Sequence, residues 1–251
     1  MKITYSALLA ILFINLSPFK LSGQTDEKKE LFPFIYATYS FIAPGGEFAD
    51  EYGVCSDIGA GAGIKTKSNW LLSIEATYLF GGNVKQNPLE GLLNSDNQIT
   101  TMYGEVGQIN MRLAGAQAKL NVGKVFPIFG SNNNSGLYIK GSMGFLQHKI
   151  FIETAGNNIP QLRGEYVKGY DRLRSGMLIS EFIGWQNFDD KGAFHFFAGF
   201  EFTQAITENQ RSWDFATNQK IEGQRLDFLY ALKLGWYIPF RKKQATQFFY
   251  H

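Results

Sequence analysis

The sequence predicts an all-β fold, an antiparallel up-and-down barrel of eight strands that crosses a membrane. Three observations predict it. Apolar residues recur at every second position over stretches longer than soluble strands need. The connections between those stretches alternate short and long. Beyond the N-terminal leader, no stretch approaches the roughly 18 consecutive apolar residues that read as a transmembrane helix.

The alternation is clearest in "QRLDFLYALKLGWYIPF", residues 224–240. Leu226, Phe228, Tyr230, Leu232, Leu234, Trp236, Ile238 and Phe240 share one parity, against Asp227, Leu229, Ala231, Lys233, Gly235 and Tyr237 on the other. Successive strand side chains point to opposite faces, so this is a strand with one oily face and one mixed face. Soluble strands keep such a pattern for about 5–6 residues. A tilted strand crossing a bilayer needs roughly 9–11 plus its ends.

From the N-terminus, "MKITYSALLAILFINLSPFKLSGQTDEKKE" has a basic Lys2, an apolar run from Ala7 to Leu16 and small residues at Ser22 and Gly23. This reads as a secretory signal peptide over 1–24, cleaved near Gln24. Position 24 is not Cys, so no lipoprotein anchor is expected. A short segment, 25–30, leads to the barrel at 31–240, and a short basic periplasmic tail, 241–251, follows it. The first seven strands are expected at 31–42, 56–67, 70–81, around 112–126, 136–152, near 174–187 and at 193–204. Each shows the same two-residue period; in the third, Leu72, Ile74, Ala76, Tyr78 and Phe80 oppose Ser73, Glu75 and Thr77. The sixth is the least regular, because Glu181 falls among apolar residues of both parities, and a β-bulge is expected there.

The connections run long (43–55), short (66–69), long (82–111), short (127–135), long (152–173), short (188–192) and long (207–223). That rhythm belongs to a barrel with tight periplasmic turns and long external loops. Trp70, Trp185 and Trp236 then fall at the periplasmic rim, where an aromatic girdle is expected. Aromatics at 16% with 23 Phe and 27 Gly suit a β-rich chain with mixed faces. A formal charge of +2 gives no footprint for nucleic acid, and Cys55, the single cysteine, excludes an internal disulfide or a cysteine metal site.

Leader, strand count and loop rhythm together resemble the small outer-membrane β-barrels of bacteria, the group that includes the transmembrane domain of outer-membrane protein A. The Phe- and Asn-rich style resembles barrels of Bacteroidota-type bacteria. Lys233, Gly235, Ile238 and Phe240 match the places of that group's C-terminal assembly signal, although Pro239 interrupts it and residues follow it. The resemblance implies an outer-membrane location, membrane lipid as surroundings and the outer-membrane assembly machinery as a partner during biogenesis.

Eight strands leave an interior just wide enough for side chains to fill. By parity Glu75, Lys119, Lys140, Glu201 and Lys233 point there, with Asp57, Lys65, Glu181 and Asp227 as further candidates. Charges in so narrow a space must pair, so a lumen closed by an ion-pair network is expected. A narrow, porin-like passive channel is the alternative. Inward glycines such as Gly61, Gly144, Gly199 and Gly235 make room for the long side chains under either reading. Catalysis is not expected, and neither is a cofactor or a metal. A lipid-modifying site would need a histidine at the outer rim, where only His148 qualifies, with Glu153 and Glu165 in the loop after it. The loops 81–108, with a short helix near Leu89 to Leu93, and 154–172, with Arg163, Tyr166, Lys168, Tyr170 and Arg172, form the expected contact surface. The expected role is structural or interactive, as an accessory subunit of a larger outer-membrane complex with other outer-membrane proteins as partners. A soluble lipocalin-like barrel would have the reverse polarity, with apolar residues inside.

Overall fold

The computed structural model describes residues 31–128, 132–188, 195–220 and 222–239. The leader, the segment 25–30, Phe240 and the tail lie outside the described residues. Eight antiparallel strands form one closed ring in chain order: β1 (Phe32–Gly46), β2 (Cys55–Lys65), β3 (Trp70–Gly81), β4 (Ile109–Phe126), β5 (Gly136–Thr154), β6 (Arg174–Phe188), β7 (His195–Asn209) and β8 (Gln224–Pro239). The ring closes where β1 pairs with β8, from Phe34 opposite Pro239 to Gly46 opposite Asp227. Closure leaves no unpaired sheet edge, which a lipid solvent would penalise heavily.

The oily parity faces out. Ile35, Tyr39, Phe41, Ile58, Leu72, Ile74, Tyr78, Leu120, Met143, Phe200, Leu232 and Leu234 are all exposed, while Thr38, Ser40, Asp57, Glu75, Gln117, Lys119 and Lys233 are buried inside. This polarity suits a transmembrane barrel and inverts that of a soluble one. Along β8 the outward apolar row from Leu226 to Ile238 spans about 40 Å at ~3.3 Å per residue. At a tilt near 40° that is about 30 Å of barrel height, the thickness of a bilayer's hydrocarbon core.

One short connection sits where the pattern puts it and does so for local reasons. The turn at 66–69 is closed by the Thr66 amide donating to the Trp70 carbonyl at 2.9 Å, with Asn69 at φ 63°. Asn tolerates that left-handed geometry better than most residues. At the opposite end the strands run further than alternation predicts: β1 continues to Gly46, β4 begins at Ile109, β5 reaches Thr154 and β7 reaches Asn209. There the outward positions carry Arg112, Lys149 and Glu153, so pairing persists after the apolar row has ended.

The bulge expected in β6 is absent. Its register is unbroken against β5, from Gly136 opposite Gln186 to His148 opposite Arg174, and against β7, from Arg174 opposite Asn209 to Phe188 opposite His195. A regular pleat therefore decides the faces. Ser180 and Phe182 turn inward, and Glu181 turns outward with Ile179, Ile183 and Trp185. Glu181 is a correction to the expected lumen set.

The long connections gather at one end. A four-residue helix α1 (Phe48–Glu51) in the first of them drops into the barrel mouth, where Phe48 and Tyr52 are fully buried. Above it, Leu89, Ile99, Ile159, Leu162 and Tyr170 from two different loops form an apolar cluster of their own. The helix expected near Leu89 is a single 3-10 turn over Glu90–Leu92.

Candidate functional site

The lumen is filled in layers. Nearest the short turns is an aromatic floor of Phe34, Tyr36, Tyr138, Phe182, Phe188, Phe197 and Tyr237. Their rings meet at 5.2–5.9 Å in mostly tilted or edge-on pairs, the arrangement aromatic quadrupoles favour. Below the floor, Lys65 donates to Asn69 at 2.7 Å and Asn134 at 2.8 Å, tying two turns together.

Above the floor, Glu75, Lys119, Lys140, Glu201 and Lys233 meet in one layer. They arrive from β3, β4, β5, β7 and β8, because all are inward by parity and the register sets them at similar depth. Each glutamate contacts all three lysines. Glu75 lies 2.6 Å from Lys233, 3.3 Å from Lys119 and 3.7 Å from Lys140; Glu201 lies 2.5 Å from Lys119, 3.1 Å from Lys233 and 3.2 Å from Lys140. No side chain of the five is more than 3% exposed. Asp57 also points inward, from β2, and is buried.

The charged layer is keyed into the floor. The Tyr36 hydroxyl donates to Glu75 at 3.1 Å and accepts from Asn121 at 3.2 Å, and the Lys140 ammonium stands 5.3 Å from the Phe182 ring centre. Space for Tyr36 comes from Gly61, where an added Cβ would fall 2.2 Å from its Cζ. Gly235 does the same for Phe197, at 2.1 Å.

Toward the loops the lumen closes again under an apolar roof of Ile42, Phe48, Tyr52, Cys55, Leu79, Leu113, Leu146, Ile150, Leu178 and Leu229. Cys55 is thus the first residue of β2 and part of this packing, a correction to its expected place in a loop. His148 and Asp227 sit within the roof. The His148 Nε2 lies 3.2 Å from Asp227 Oδ2, its Nδ1 3.4 Å from the Tyr52 hydroxyl, and Thr207 donates to the same carboxylate oxygen at 2.6 Å. Burial, with the Glu51 carboxylate beside it, holds the Tyr52 phenol well above its usual range, so it remains a neutral hydroxyl. The order Asp–His–Tyr resembles a proton relay, but the imidazole is 1% exposed and packs edge-on against Phe48 at 4.9 Å. His148 is therefore an inward, engaged side chain rather than a rim group. Glu153 instead faces Arg112, and Glu165 pairs with Lys168 on the surface. A final polar tier joins Glu51 of α1 to Arg225 at 2.6 Å, with Arg174 at 3.8 Å and Arg172 at 3.9 Å.

Trp70, Trp185 and Trp236 all face outward at the turn end of their strands, with Lys124 standing 5.0 Å over the Trp70 ring. Of the expected assembly signal, Lys233 and Gly235 face the lumen and Ile238 faces out, while Phe240 lies outside the described residues. His195, at the turn end, packs on Phe188 at 4.7 Å. Among the described residues no cluster of His, Cys, Asp and Glu could hold a metal.

Parity alone could have found the aromatic floor, since Tyr36, Tyr138 and Tyr237 are inward by the same counting that found the charges. The His148–Asp227 contact and the seating of Glu51 among three arginines join residues far apart in sequence, and no local pattern marks them.

No family model and no curated protein matches the sequence. Solved structures similar to it include two of Ail, the attachment invasion locus protein of Yersinia pestis. The one in complex with the heparin analogue sucrose octasulfate is 9% identical, covers 83% of this chain and 99% of that chain, and superposes with a TM-score of 0.42. The other is 10% identical with the same coverage and a TM-score of 0.41. At so low an identity and so loose a superposition, nothing about ligand or role passes from Ail to this chain.

Proposed function

We propose that the chain is a closed outer-membrane β-barrel that acts through its surfaces, as a structural or interaction subunit of a larger outer-membrane complex. The observation that carries this reading is the filled lumen: five buried charges, each paired, lie between an aromatic floor and an apolar roof. An ion crossing the barrel would have to break a desolvated network and displace two packed layers. In this reading the short turns and the tryptophan girdle face the periplasm, the folded loops face outward, and Lys233, Gly235, Ile238 and Phe240 serve assembly. The role is non-enzymatic; the buried, doubly engaged His148 supports that, because a general base must reach its substrate.

Single-channel recording of the refolded protein in a planar bilayer, beside Glu75→Gln and Lys233→Met, tests the reading. Stable insertion without steady current is expected of the parent protein. A steady current altered by either substitution would make the lumen a charged pathway, and the passive-channel reading would replace this one.

A further inference from the structure

The outward row of β6 reads Met177, Ile179, Glu181, Ile183, Trp185, so a carboxylate stands in the middle of the apolar belt. Trp185 lies four residues away, about 13 Å along the strand and about 10 Å along the barrel axis. Among the described residues Glu181 has no ion pair or hydrogen bond. Its cross-strand neighbours are Gly141 on β5 and Phe202 on β7. A Cβ added at Gly141 would meet nothing within 4 Å, which leaves a bare step beside the carboxylate. On the other side a groove runs from Glu181 across Phe200 and Phe202 to Tyr230 and Leu232, with the Phe202 and Tyr230 rings stacked at 4.8 Å.

The surroundings are asymmetric. The outward rows of β1, β3 and β8 are apolar through the belt, whereas β5 to β7 add Gln147 and Gln204 to Glu181. An ionised group at this depth is costly in lipid, and such groups as a rule face a partner or an aqueous cavity. The cavity is excluded by direction, since Glu181 points away from the lumen.

We infer that the β5–β7 face is a docking surface for a different membrane-embedded protein, one that presents a lysine or arginine to Glu181 at mid-belt depth. Charge complementarity sets the chemistry of the occupant. It also argues against a second copy of this chain. Copies related by an axis along the membrane normal present each residue at its own depth, and the outward basic residues Arg112, Lys149 and Lys124 stand at the strand ends. A copy would offer Glu181 only apolar groups or another Glu181. This surface rests on the reading of the chain as a subunit of a complex, and gives that reading a place and a charge.

The test places a photoreactive phenylalanine analogue at Ile183 or Phe202 in the native membrane, with Ile74 on the opposite face as control. One discrete adduct with another polypeptide is expected from the first two positions and none from Ile74. Glu181→Lys should abolish the adduct, and reversing the charge of the basic residue in the cross-linked segment of the partner should restore it. Heat-modifiable migration verifies that the Glu181→Lys barrel has folded. In vesicles of the purified protein, Glu181→Leu should be at least as resistant to urea as the parent, a split that a merely structural role would not produce. An adduct of twice the chain's mass, an adduct indifferent to Glu181→Lys, or a cross-linked segment without a basic residue would each overturn the inference. Cross-linking through loop positions such as Tyr166, with silence on β5–β7, would keep the interaction role and end this surface. Silence everywhere, with the protein migrating alone in native gels, would end both.

Discussion

Replacing Lys233 by Met removes the cation that is completely buried between Glu75 at 2.6 Å and Glu201 at 3.1 Å. Met keeps the length of the side chain, so the change is chiefly one of charge. Lys119 and Lys140 then remain against Glu75 and Glu201, each of which has lost one of its three cations. Breaking a buried pair in this way costs about 3–5 kcal/mol. With a urea slope of ~2 kcal/mol per M, the unfolding midpoint of the barrel in lipid vesicles should fall by about 2 M. Adding Glu75→Gln removes the carboxylate that lost its nearest cation and leaves Glu201 between Lys119 and Lys140. The double variant should therefore lose less than the two single losses together, with a coupling of about 1–3 kcal/mol. A midpoint shift under ~0.5 M with no coupling would refute the reasoning. That result is the signature of a solvated pair worth about 0–1 kcal/mol, and it would mean that water reaches the layer.

Gly61→Ala should destabilise the barrel by about 1–3 kcal/mol in the same titration, because the new Cβ strikes the Tyr36 ring and disturbs its bonds to Glu75 and Asn121. In single-tryptophan variants, Trp70, Trp185 and Trp236 should be quenched by lipids brominated near the headgroups, and Trp213 of the last long loop by aqueous acrylamide; the opposite pattern would unseat the assignment of the membrane belt.

The architecture was legible because one local rule, two residues per repeat, acts along every strand, and lipid outside with pairing inside gives opposite signs to the two parities. Counting by twos located the five lumen charges, and their convergence follows once the ring closes. What counting could not supply was the other wall of each contact. Seating α1 in the mouth depends on loop closure, and its short helix carries no signal that Phe48 and Tyr52 will be the roof. Glu181 is a different case, for its position was recoverable. Trp185 shares its parity four residues on, and a girdle tryptophan must face lipid, so the same counting that placed Trp185 outward placed Glu181 outward with it. The inward expectation set Glu181 among the charges that parity places in the lumen, and the apolar residues of both parities around it pointed to a bulge. The unbroken register of β6 removes the bulge and leaves the cost of a charge in lipid in place. A carboxylate kept against a penalty that a single Leu would remove is where local consistency gives way, and such breaks concentrate at functional surfaces. The sequence feature hardest to fit to the fold is therefore the one that points away from the lumen, to whatever stands beside this barrel in the membrane.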